Sequence, residues 1–275
     1  MTDRSVLITG CSSGIGRCVA DGLAARGYRV FATARKPEDV ERLQADGLES
    51  LPLDLSNSAS IAAAVDEVLA RTKGRLYALF NNGAYGQPGA VEDLARDVLR
   101  EQFETNLFGW HELTNRVLPV MRRQGHGRII HNSSVLGFVA LPFRGAYNAS
   151  KYALEGLADT MRLELLDTDI HVVLVEPGPI ISRFRANSFA AYQRNIDPES
   201  SAYRDRYLAM EQRLTKEGPV VPFTLPPEAV LKKVIRALEC RKPRARYYVT
   251  FPTYLFATLK RVLPQRTLDR ILSRV

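Results

Sequence analysis

The sequence contains few cysteine and histidine residues and no apolar run long enough to cross a bilayer. Its 275 residues include three cysteines and four histidines, with no C-x-x-C pair and no clustered His/Cys spacing. This pattern excludes a disulfide framework and argues against a metal-dependent mechanism, so we expect no metal site. The longest apolar tract near the C-terminus, residues 249–259, is shorter than the roughly 20 residues that a membrane-spanning helix needs. No secretory signal is recognisable at the N-terminus, so we expect a protein of the reducing cytoplasm.

Positive charge is concentrated at one end of the chain. The formal net charge is +8, yet residues 231–275 carry 12 Lys/Arg against 2 Asp/Glu, which leaves 26 against 28 for residues 1–230. Aromatic residues are interleaved with these cations, a composition that suits a membrane interface, an acidic neighbouring subunit or nucleic acid. A solvated basic face over a buried aromatic stripe is the simpler alternative. We expect peripheral membrane contact or subunit packing through this end, and no nucleic-acid binding.

Short apolar runs alternate with stretches of helical periodicity from the N-terminus to residue 180. Such alternation is typical of repeated βα units, in which each strand is followed by a helix that covers the sheet. The predicted fold class is α/β, a doubly wound and mostly parallel sheet of the Rossmann type, with residues 1–275 as a single domain. The predicted strands are 5–9, 29–34, 48–53, 76–81, 128–133 and 171–176. The predicted helices are 15–26, 37–45, 58–72, 91–123 and 147–166.

The alternation lapses over residues 181–225, where aromatic and charged residues replace the strand pattern. We interpret this segment as a helical lid over a substrate site. A helix is predicted at 226–240 and a last strand at 247–251. The basic C-terminal extension, residues 252–275, is predicted to form short amphipathic helices that break near Pro264, because proline interrupts helical hydrogen bonding.

The first predicted strand runs into a glycine-rich loop that opens a helix. The segment reads Thr9-Gly10-Cys11-Ser12-Ser13-Gly14-Ile15-Gly16. Glycines at such a turn let the backbone approach a pyrophosphate, whose charge then lies on the helix N-terminus. Glycine also serves ordinary tight turns, so this loop alone is a weak indication of nucleotide binding.

A tyrosine and a lysine stand four residues apart, at Tyr147 and Lys151. On a helix this spacing puts the phenol and the ammonium on one face, one turn apart. A nearby cation favours the phenolate, so we expect the pKa of Tyr147 to fall from about 10 towards neutrality, as a general acid/base requires. The same pair occurs by chance on many solvated helices. Its weight comes from its companions, Ser134 after the fifth strand and Asn106 within a predicted helix, although either could make a merely structural bond.

The order and spacing of these motifs resemble the short-chain dehydrogenase/reductase family, in its compact single-domain branch, over nearly the whole chain. The matching positions are 9–16, Asp54, Asn81-Asn82-Gly83-Ala84, Asn106, Ser134, Tyr147, Lys151 and Pro177-Gly178. The runs 6–16, 33–38 and 175–179 further resemble the hydroxysteroid- and retinol-dehydrogenase-like subgroup, which includes bacterial NADP-dependent aldehyde reductases.

The resemblance implies an oxidoreductase that moves a hydride between a nicotinamide and a substrate carbon. It implies that Ser134 holds the substrate oxygen, that Tyr147 exchanges its proton, and that Lys151 bonds the nicotinamide ribose. Asn106 would support a water-linked proton path. The implied cofactor-binding residues are Gly10, Ser12, Ser13, Gly14, Ile15, Gly16, Arg35, Asp54, Leu55, Asn82, Tyr147, Lys151, Pro177, Gly178, Ile180 and Ser182. The family also commonly forms dimers or tetramers through two long helices, here 91–123 and 147–166, so a homo-oligomer is expected.

The sequence departs from the family pattern at two places. The usual Asn-Asn-Ala-Gly is Asn-Asn-Gly-Ala here, and Ser182 stands where a threonine commonly contacts the carboxamide. The serine keeps the hydroxyl, so we expect function to survive. The exchange at Gly83 and Ala84 puts the geometry of the turn in doubt.

The end of the second strand predicts NADP(H) rather than NAD(H). An NAD enzyme places an acidic residue there to take the ribose hydroxyls, whereas a 2′-phosphate needs a cation. Ala34 occupies the acidic position, Arg35 follows it, and no carboxylate appears until Glu38. Ser12 or Ser13 would add a donor to the phosphate. The alternative is that Arg35 is only a surface residue.

An apolar wall is predicted around the nicotinamide pocket, from the loop 135–143 and the aromatic residues of the lid. It favours a hydrophobic carbonyl or alcohol over a sugar or a keto acid, although the same residues would serve equally as core beneath a loop. We predict reduction of a medium or long aldehyde with NADPH. The alternatives are a hydroxysteroid or retinol dehydrogenase and, in another class, a non-catalytic nucleotide-binding regulator.

Overall fold

The computed structural model describes residues 4–216, Gly218 and residues 221–275. The first three residues, and positions 217, 219 and 220 of the predicted lid, lie outside the described ones. The strands are β1 (Ser5–Ile8), β2 (Arg29–Ala34), β3 (Glu49–Pro52), β4 (Ala78–Asn81), β5 (His126–Asn132), β6 (Asp169–Glu176) and β7 (Arg246–Tyr248). They form a parallel sheet in the order β3-β2-β1-β4-β5-β6-β7. The prediction of a doubly wound α/β sheet is confirmed.

Helices cover both faces of the sheet, because successive residues of a strand point to opposite sides. In β1, Val6 and Ile8 join one apolar cluster and Leu7 joins the other. The helices are α1 (Gly14–Ala24), α2 (Pro37–Ala45), α3 (Ser58–Arg71), α4 (Arg96–Phe103), α5 (Gly109–Gln124), α6 (Gly145–Glu164), α7 (Phe184–Asn195), α8 (Arg204–Thr215), α9 (Glu228–Glu239), α10 (Phe251–Val262) and α11 (Gln265–Leu272). The first cluster contains residues of α1, α2 and α9, and the second contains residues of α3, α5 and α6.

The prediction of a single helix over 91–123 is wrong. The structure has a 3-10 turn at Val91–Asp93, then α4, a π-helical segment at Glu104–Phe108 and α5. The Asn106 side chain holds the Tyr85 backbone, with Nδ2 donating to the Tyr85 oxygen at 2.9 Å and Oδ1 accepting from its amide at 3.3 Å. A Cβ on Gly109 would lie 2.0 Å from the Leu55 oxygen. These tertiary contacts hold the π-helical segment in place. Segments of this kind are often found at functional sites.

The sheet changes its direction of winding between β1 and β4. From β1 the chain moves outwards to β2 and β3, and from β4 it moves the other way to β5, β6 and β7. The loops after the two central strands therefore diverge and leave a crevice at the carboxyl ends, where sheets of this type bind ligands. Gly10 follows β1 and Asn82 follows β4, so both predicted motifs border this crevice.

The segment predicted as a lid leaves and rejoins the domain at one point. The Ile181 amide donates to the Leu225 oxygen at 3.0 Å, and the Leu225 amide donates to the Pro179 oxygen at 3.1 Å. Between these two bonds lie α7 and α8. Their side chains Tyr192 and Tyr207 are buried in an apolar cluster of their own.

The C-terminal residues form α10 and α11, which are separated at Leu263 and Pro264 as the proline predicts. Leu268 and Leu272 of α11 are buried against Val139. Part of the predicted apolar wall is therefore core beneath the C-terminal helices, because the hydrophobic face of α11 needs a partner. Among the helices of the described ranges, none combines the length and the apolar character needed to span a bilayer.

Candidate active site

The glycine loop turns sharply between β1 and α1. Gly10 and Gly14 have φ values of +70° and +58°, in a region that residues with a side chain rarely adopt. A Cβ on Gly16 would lie 2.2 Å from the Gly10 oxygen, so α1 begins pressed against the end of β1. Ser13 precedes α1 in an extended conformation and makes no side-chain capping bond within the described structure. The first amides of α1 are thus available to an anion, and this cradle fits the pyrophosphate of a dinucleotide.

A chain of hydrogen bonds joins the glycine loop to the predicted lysine. Asn82 Nδ2 donates to the backbone oxygens of Thr9 and Gly10, at 3.0 and 3.3 Å. Asn82 Oδ1 accepts from Asn132 Nδ2 at 2.9 Å, and the Asn132 oxygen accepts from Lys151 Nζ at 2.9 Å. Sequence reasoning missed Asn132, whose only signal is its position as the last residue of β5. The ends of β1, β4 and β5 are therefore tied to one side of α6.

The turn after β4 is intact despite the exchanged glycine and alanine. Thr9 Oγ1 accepts from the amides of Asn82 and Gly83, both at 2.8 Å. Trp110 Nε1 donates to the Gly83 oxygen at 2.8 Å. A Cβ on Gly10 would lie 2.6 Å from the Gly83 Cα, so the two loops touch through their backbones. The doubt that the sequence raised about this turn is removed by these three bonds.

Tyr147, Ser134 and Lys151 are brought together at the carboxyl end of β5. Tyr147 lies in the first turn of α6, and a hydrogen bond links its phenol to Ser134. Lys151 is 1% exposed, and its Nζ lies 5.7 Å from the centre of the Tyr147 ring and 4.1 Å from that of Trp110. The arrangement brings a buried phenol, a hydroxyl and a buried amine close together.

The expectation that the pKa of Tyr147 falls is wrong. Burial raises it to about 12, and the hydrogen bond with Ser134 opposes the rise. Burial likewise lowers the pKa of Lys151 to about 7, with the charge of Glu155 acting in the opposite direction. The physical reason is that both groups have lost the water that solvates their charged forms, while the Lys151 ammonium is bonded to the Asn132 carbonyl and not to the phenol. At neutral pH the phenol is therefore a proton donor.

Asn106 lies beside α6, and Ser150 stands between its side chain and the residues that carry the phenol and the amine. Its Nδ2 donates to Ser150 Oγ at 3.3 Å, and Ser150 Oγ donates to the Tyr147 backbone oxygen at 2.8 Å. Among the described residues no hydrogen bond joins Asn106 directly to Lys151. The asparagine thus fixes the first turns of α6 against the loop that carries Tyr85.

The loop after β6 faces the glycine loop across the crevice. The Pro177 oxygen accepts from the Val135 amide at 2.8 Å, and a Cβ on Gly178 would lie 2.2 Å from Thr250 Oγ1. A Cβ on Gly14 would lie 3.0 Å from the Ser182 Cβ. The predicted residues Ile15 and Ile180 pack against the same apolar cluster beneath the crevice.

The side of the crevice beyond β2 and β3 carries the remaining predicted residues. Arg35 is exposed, and no described carboxylate lies within ion-pair distance of it. Asp54 Oδ1 accepts from the amide and the hydroxyl of Ser56, at 3.0 and 2.7 Å. Leu55 is buried against Gly83 and Gly109.

A second cation borders the glycine loop. Arg42 Nη2, from α2, donates to the Ser12 oxygen at 3.0 Å and to Asp39 Oδ1 at 2.6 Å. Sequence reasoning missed Arg42, because a cation three residues after an acid on a helix is typical of an ordinary surface pair.

The lid helix α7 covers the phenol. The Phe184 ring packs edge-on against the Tyr147 ring, with centroids 5.2 Å apart and planes at 65°. A Cβ on Gly86 would lie 2.7 Å from Phe184 Cζ and 3.2 Å from Ser188 Oγ. Of the predicted lid aromatics, Phe184 contacts the phenol directly, whereas Tyr192 and Tyr207 belong to the interior of the lid. Within the described ranges, no group of three or more His, Cys, Asp or Glu side chains is placed to hold a metal ion.

The chain matches the model of a known protein family and is similar to several known proteins. The model of the family described as short chain dehydrogenase matches residues 4–193. The chain is 44% identical over 270 residues to "Uncharacterized oxidoreductase YbbO" of Escherichia coli (strain K12), covering 98% of this chain and 94% of that one. It is 33% identical over 291 residues to retinol dehydrogenase 8 of Homo sapiens, covering 98% and 91%. It is 34% identical over 265 residues to 17-beta-hydroxysteroid dehydrogenase type 1 of Homo sapiens, covering 91% and 78%.

The fold is also similar to that of solved structures. A short-chain dehydrogenase from Streptomyces avermitilis superposes with a TM-score of 0.79 at 29% identity, covering 98% of this chain and 94% of that one. Family model, relatives and solved structure therefore agree with the motifs at the crevice. The chain belongs to the short-chain dehydrogenase family of oxidoreductases, in a subgroup similar to the hydroxysteroid and retinol dehydrogenases.

Proposed function

We propose that this protein is an NADP(H)-dependent oxidoreductase that reduces a hydrophobic aldehyde or ketone to the alcohol, or catalyses the reverse reaction. The observation that carries the proposal is the buried, protonated phenol of Tyr147, which shares a hydrogen bond with Ser134 at the crevice that the glycine loop opens. A proton donor in that position has the chemistry that reduction of a carbonyl requires.

Different side chains hold and protonate the substrate oxygen. When bound, the nicotinamide cofactor supplies the hydride. Ser134 Oγ holds the substrate oxygen by a hydrogen bond, and Tyr147 Oη donates its proton to the developing alkoxide. A charged Lys151 stabilises the phenolate that remains, because an opposite charge close to a buried anion lowers its free energy. Asn106 keeps the start of α6 in place through Ser150. Together with Lys151 it would also support a water-linked path that returns a proton to Tyr147.

The crevice suits a dinucleotide along its whole length. The pyrophosphate would lie on Gly10, Ser12, Ser13, Gly14, Ile15 and Gly16, the adenosine by Arg35, Asp54 and Leu55, and the nicotinamide end by Asn82, Tyr147, Lys151, Pro177, Gly178, Ile180 and Ser182. NADP(H) is preferred because Arg35 is exposed beside Ala34 and forms no ion pair with the described residues, and Arg42 adds a second cation at Ser12. Asp39 offsets part of the charge of Arg42, so Arg35 is the stronger determinant.

The substrate is hydrophobic because an aromatic side chain stands over the proton donor. Phe184 covers Tyr147 with its ring. A medium or long aldehyde fits such surroundings. The names of two relatives, a retinol dehydrogenase and a hydroxysteroid dehydrogenase, support a second candidate within the same chemistry, a bulky ring-containing ketone or alcohol. A non-catalytic regulator has no comparable support, because the phenol, hydroxyl and amine are all retained.

The test is a panel of aldehydes, ketones, retinoids and steroids with NADPH and with NADH, monitored by the absorbance of the reduced nicotinamide. Tyr147→Phe should lower turnover by about 10²- to 10⁴-fold, the usual contribution of a general acid. Its affinity for NADPH, measured by fluorescence titration, should stay unchanged. Tyr152→Phe, on the exposed side of the same helix, is the matched control. Full activity of Tyr147→Phe refutes the assigned proton donor, and NADPH binding by a wild type that turns over nothing favours the regulator.

We further propose that residues 1–275 form one domain, with 181–225 as a lid over the substrate and 252–275 as an extension. Support for the lid is its closure at Ile181 and Leu225 and its contact with Tyr147. Exposed leucines on α6, Leu157 and Leu163, support a homo-oligomer through this helix. The three free cysteines support a reducing location such as the cytoplasm.

The extension is proposed to touch the surface of a membrane. Phe251, Tyr254, Leu255 and Val262 are exposed along one side of α10, and two cations, Arg261 of α10 and Lys233 of α9, stand next to this apolar stripe. Apolar side chains flanked by cations suit an anionic bilayer surface. Sedimentation with anionic vesicles, compared with neutral ones, measures this contact, and a Leu255→Glu variant should bind less.

A further inference from the structure

A buried acidic cluster lies two turns along α6 from Tyr147, and the reaction described above does not use it. Glu176 ends β6 and is 0% exposed, and Glu155 of α6 is buried beside it. Arg246 of β7 contacts both, with Nε 3.0 Å from Glu176 Oε1 and Nη2 3.1 Å from Glu155 Oε2. The same Nη2 lies 2.7 Å from Asp159 Oδ2. One guanidinium thus faces three carboxyl groups.

Two buried oxygens of the cluster, Glu176 Oε2 and Glu155 Oε1, have no hydrogen-bond partner among the described residues. Orphaned carboxyl oxygens suit a pair of acids that holds one proton better than two carboxylates. Burial and then the charge of Glu155 raise the pKa of Glu176 to about 9. Burial raises the pKa of Glu155 as well, but Arg246, whose Nη2 donates to Glu155 Oε2 at 3.1 Å, favours its charged form. Glu176 is therefore the protonated member of the pair at neutral pH.

Glu155 also stands one helical turn after Lys151, on the same face of α6. Burial drives Lys151 towards its neutral form, and the charge of Glu155 is the influence that opposes it. The other groups around the two side chains do not supply a negative charge close to the lysine. They are Tyr147, Asp159 and Arg162 on α6, His131 on β5, Arg246 and Tyr248 on β7, and Lys260 on α10. Of these, Asp159 is paired with Arg246 and Arg162, and His131 is neutral because burial lowers its pKa to about 3.

We propose that Glu155 is a positioning residue of this active site: its carboxylate is the counter-charge that keeps the Lys151 ammonium charged, and Glu176 carries the proton that lets both acids remain buried. With one proton on Glu176, Arg246 faces two carboxylates, those of Glu155 and Asp159, and Asp159 is also paired with Arg162. The inference rests on the proposed function, because only a charged Lys151 stabilises the phenolate of Tyr147. Through Arg246, the inference also connects β7, the edge strand of the sheet, with the reaction.

The first measurement is the pH profile of kcat for carbonyl reduction. Glu155→Gln keeps the shape of the side chain and removes its charge, so Lys151 should lose its proton at lower pH. The basic limb of the profile should then move to lower pH by about one unit or more, the usual effect of one close opposite charge. Glu176→Gln, which imitates the protonated acid, should leave the limb in place. Glu164→Gln, an exposed acid on the same helix, is the control.

The second measurement needs no turnover and no cofactor. The pKa of Glu176 rises from 4.5 to about 9 on folding, so the folded protein holds this proton more tightly than the unfolded chain between these values. The stabilisation is complete below the lower value and is lost as the pH rises through the upper one. The urea midpoint of the cofactor-free wild type should therefore fall across this window. The midpoint of Glu176→Gln should fall less steeply.

The outcomes separate the inference from the function on which it rests. An active wild type whose basic limb is unmoved by Glu155→Gln overturns the counter-charge role and leaves the proposed function standing. If Glu155→Gln fails to fold, Glu155→Asp takes its place. This variant keeps the negative charge, so its basic limb should stay near that of the wild type. A basic limb that moves as far as removal of the charge predicts overturns the role. Equal pH slopes of the urea midpoint in wild type and Glu176→Gln overturn the proton on Glu176. A wild type that reduces no carbonyl fails the proposed function, and the urea series still tests the cluster.

Discussion

The crevice at the ends of β1 and β4 and the proposed lid, residues 181–225, are held by different kinds of contact. At the crevice the loops approach through their backbones: Gly16 lies against the Gly10 oxygen, and Gly10 lies against the Gly83 Cα, while the Asn82 side chain bonds to two carbonyls of the glycine loop. The lid is held by side chains from distant parts of the chain, such as the Tyr207 hydroxyl, which bonds to the Ala90 amide and to Asp93. The crevice therefore tolerates little change, whereas the lid can change its side chains and keep its place.

Under the proposed function, this difference separates binding of the cofactor from choice of the substrate. A crevice built from backbone atoms recognises what all dinucleotides share, the pyrophosphate and the ribose. A lid built from side chains presents a surface that substitution can reshape. Variants of the crevice should change NADPH affinity, and variants of the lid should change kcat/KM among substrates.

The largest effect is expected from Gly16→Ala. The new Cβ would lie 2.2 Å from the Gly10 oxygen and 2.7 Å from Asn82 Nδ2, so the loop and α1 must separate. Overpacking of this kind costs about 1–3 kcal/mol of unfolding free energy. With the cradle displaced, NADPH affinity should fall by about 100-fold or more, as measured by fluorescence titration. Gly156→Ala, which has open space around it on α6, should raise the unfolding free energy slightly and leave NADPH affinity unchanged. Equal losses of NADPH affinity in both variants would contradict the assignment.

An intermediate effect is expected from Arg35→Asp. The variant replaces a cation with a carboxylate where the 2′-phosphate would lie, and it offers that carboxylate to the ribose hydroxyls of NADH. A charge-assisted hydrogen bond contributes about 1.5–3 kcal/mol, so the ratio of kcat/KM for NADPH to that for NADH should fall by roughly 10- to 100-fold. Lys73→Asp makes the same change of charge in the turn before β4, at the opposite end of the sheet. An unchanged ratio in Arg35→Asp would remove the phosphate role.

The smallest effect is expected from Phe184→Ala, and it should appear on the substrate side alone. Loss of the ring over Tyr147 removes apolar contact with a long substrate, at a cost of about 1–3 kcal/mol. The kcat/KM for long aldehydes should fall about tenfold, that for short ones should change little, and NADPH affinity should stay the same. Phe223→Ala removes an exposed ring that packs on Phe251, away from the phenol. A Phe184→Ala variant with weakened NADPH binding would mean that lid and crevice are not separate.

The electrostatics of the site could not be predicted from spacing. Tyr147 and Lys151 do lie on one helix, as a separation of four residues requires, yet the pKa of the phenol rises where a fall was expected. Spacing places two side chains but does not report how much water surrounds them. Desolvation outweighs the attraction between the two groups here, because both are almost fully buried.

The periodicity of apolar residues was sufficient to predict the strands, most of the helices and the break at Pro264, because these depend on interactions between near neighbours in the chain. The glycine loop was predictable for the same reason, since positive φ values at Gly10 and Gly14 are a property of the residue itself. The π-helical turn at Asn106 was not, because it is held by contact with Tyr85, which lies on another segment.

The sequence by itself determined the layered sheet and the anion cradle, because each follows from local conformational preference and from a hydrophobic face that must be buried. Its motifs named the candidate reactive side chains through their resemblance to a family. Only the tertiary structure decided that Asn132 would receive Lys151, that Arg246 would meet Glu155 and Glu176, and that Phe184 would cover the phenol. These contacts join residues far apart in the chain, and the protonation of a buried group depends on every charge and dipole around it.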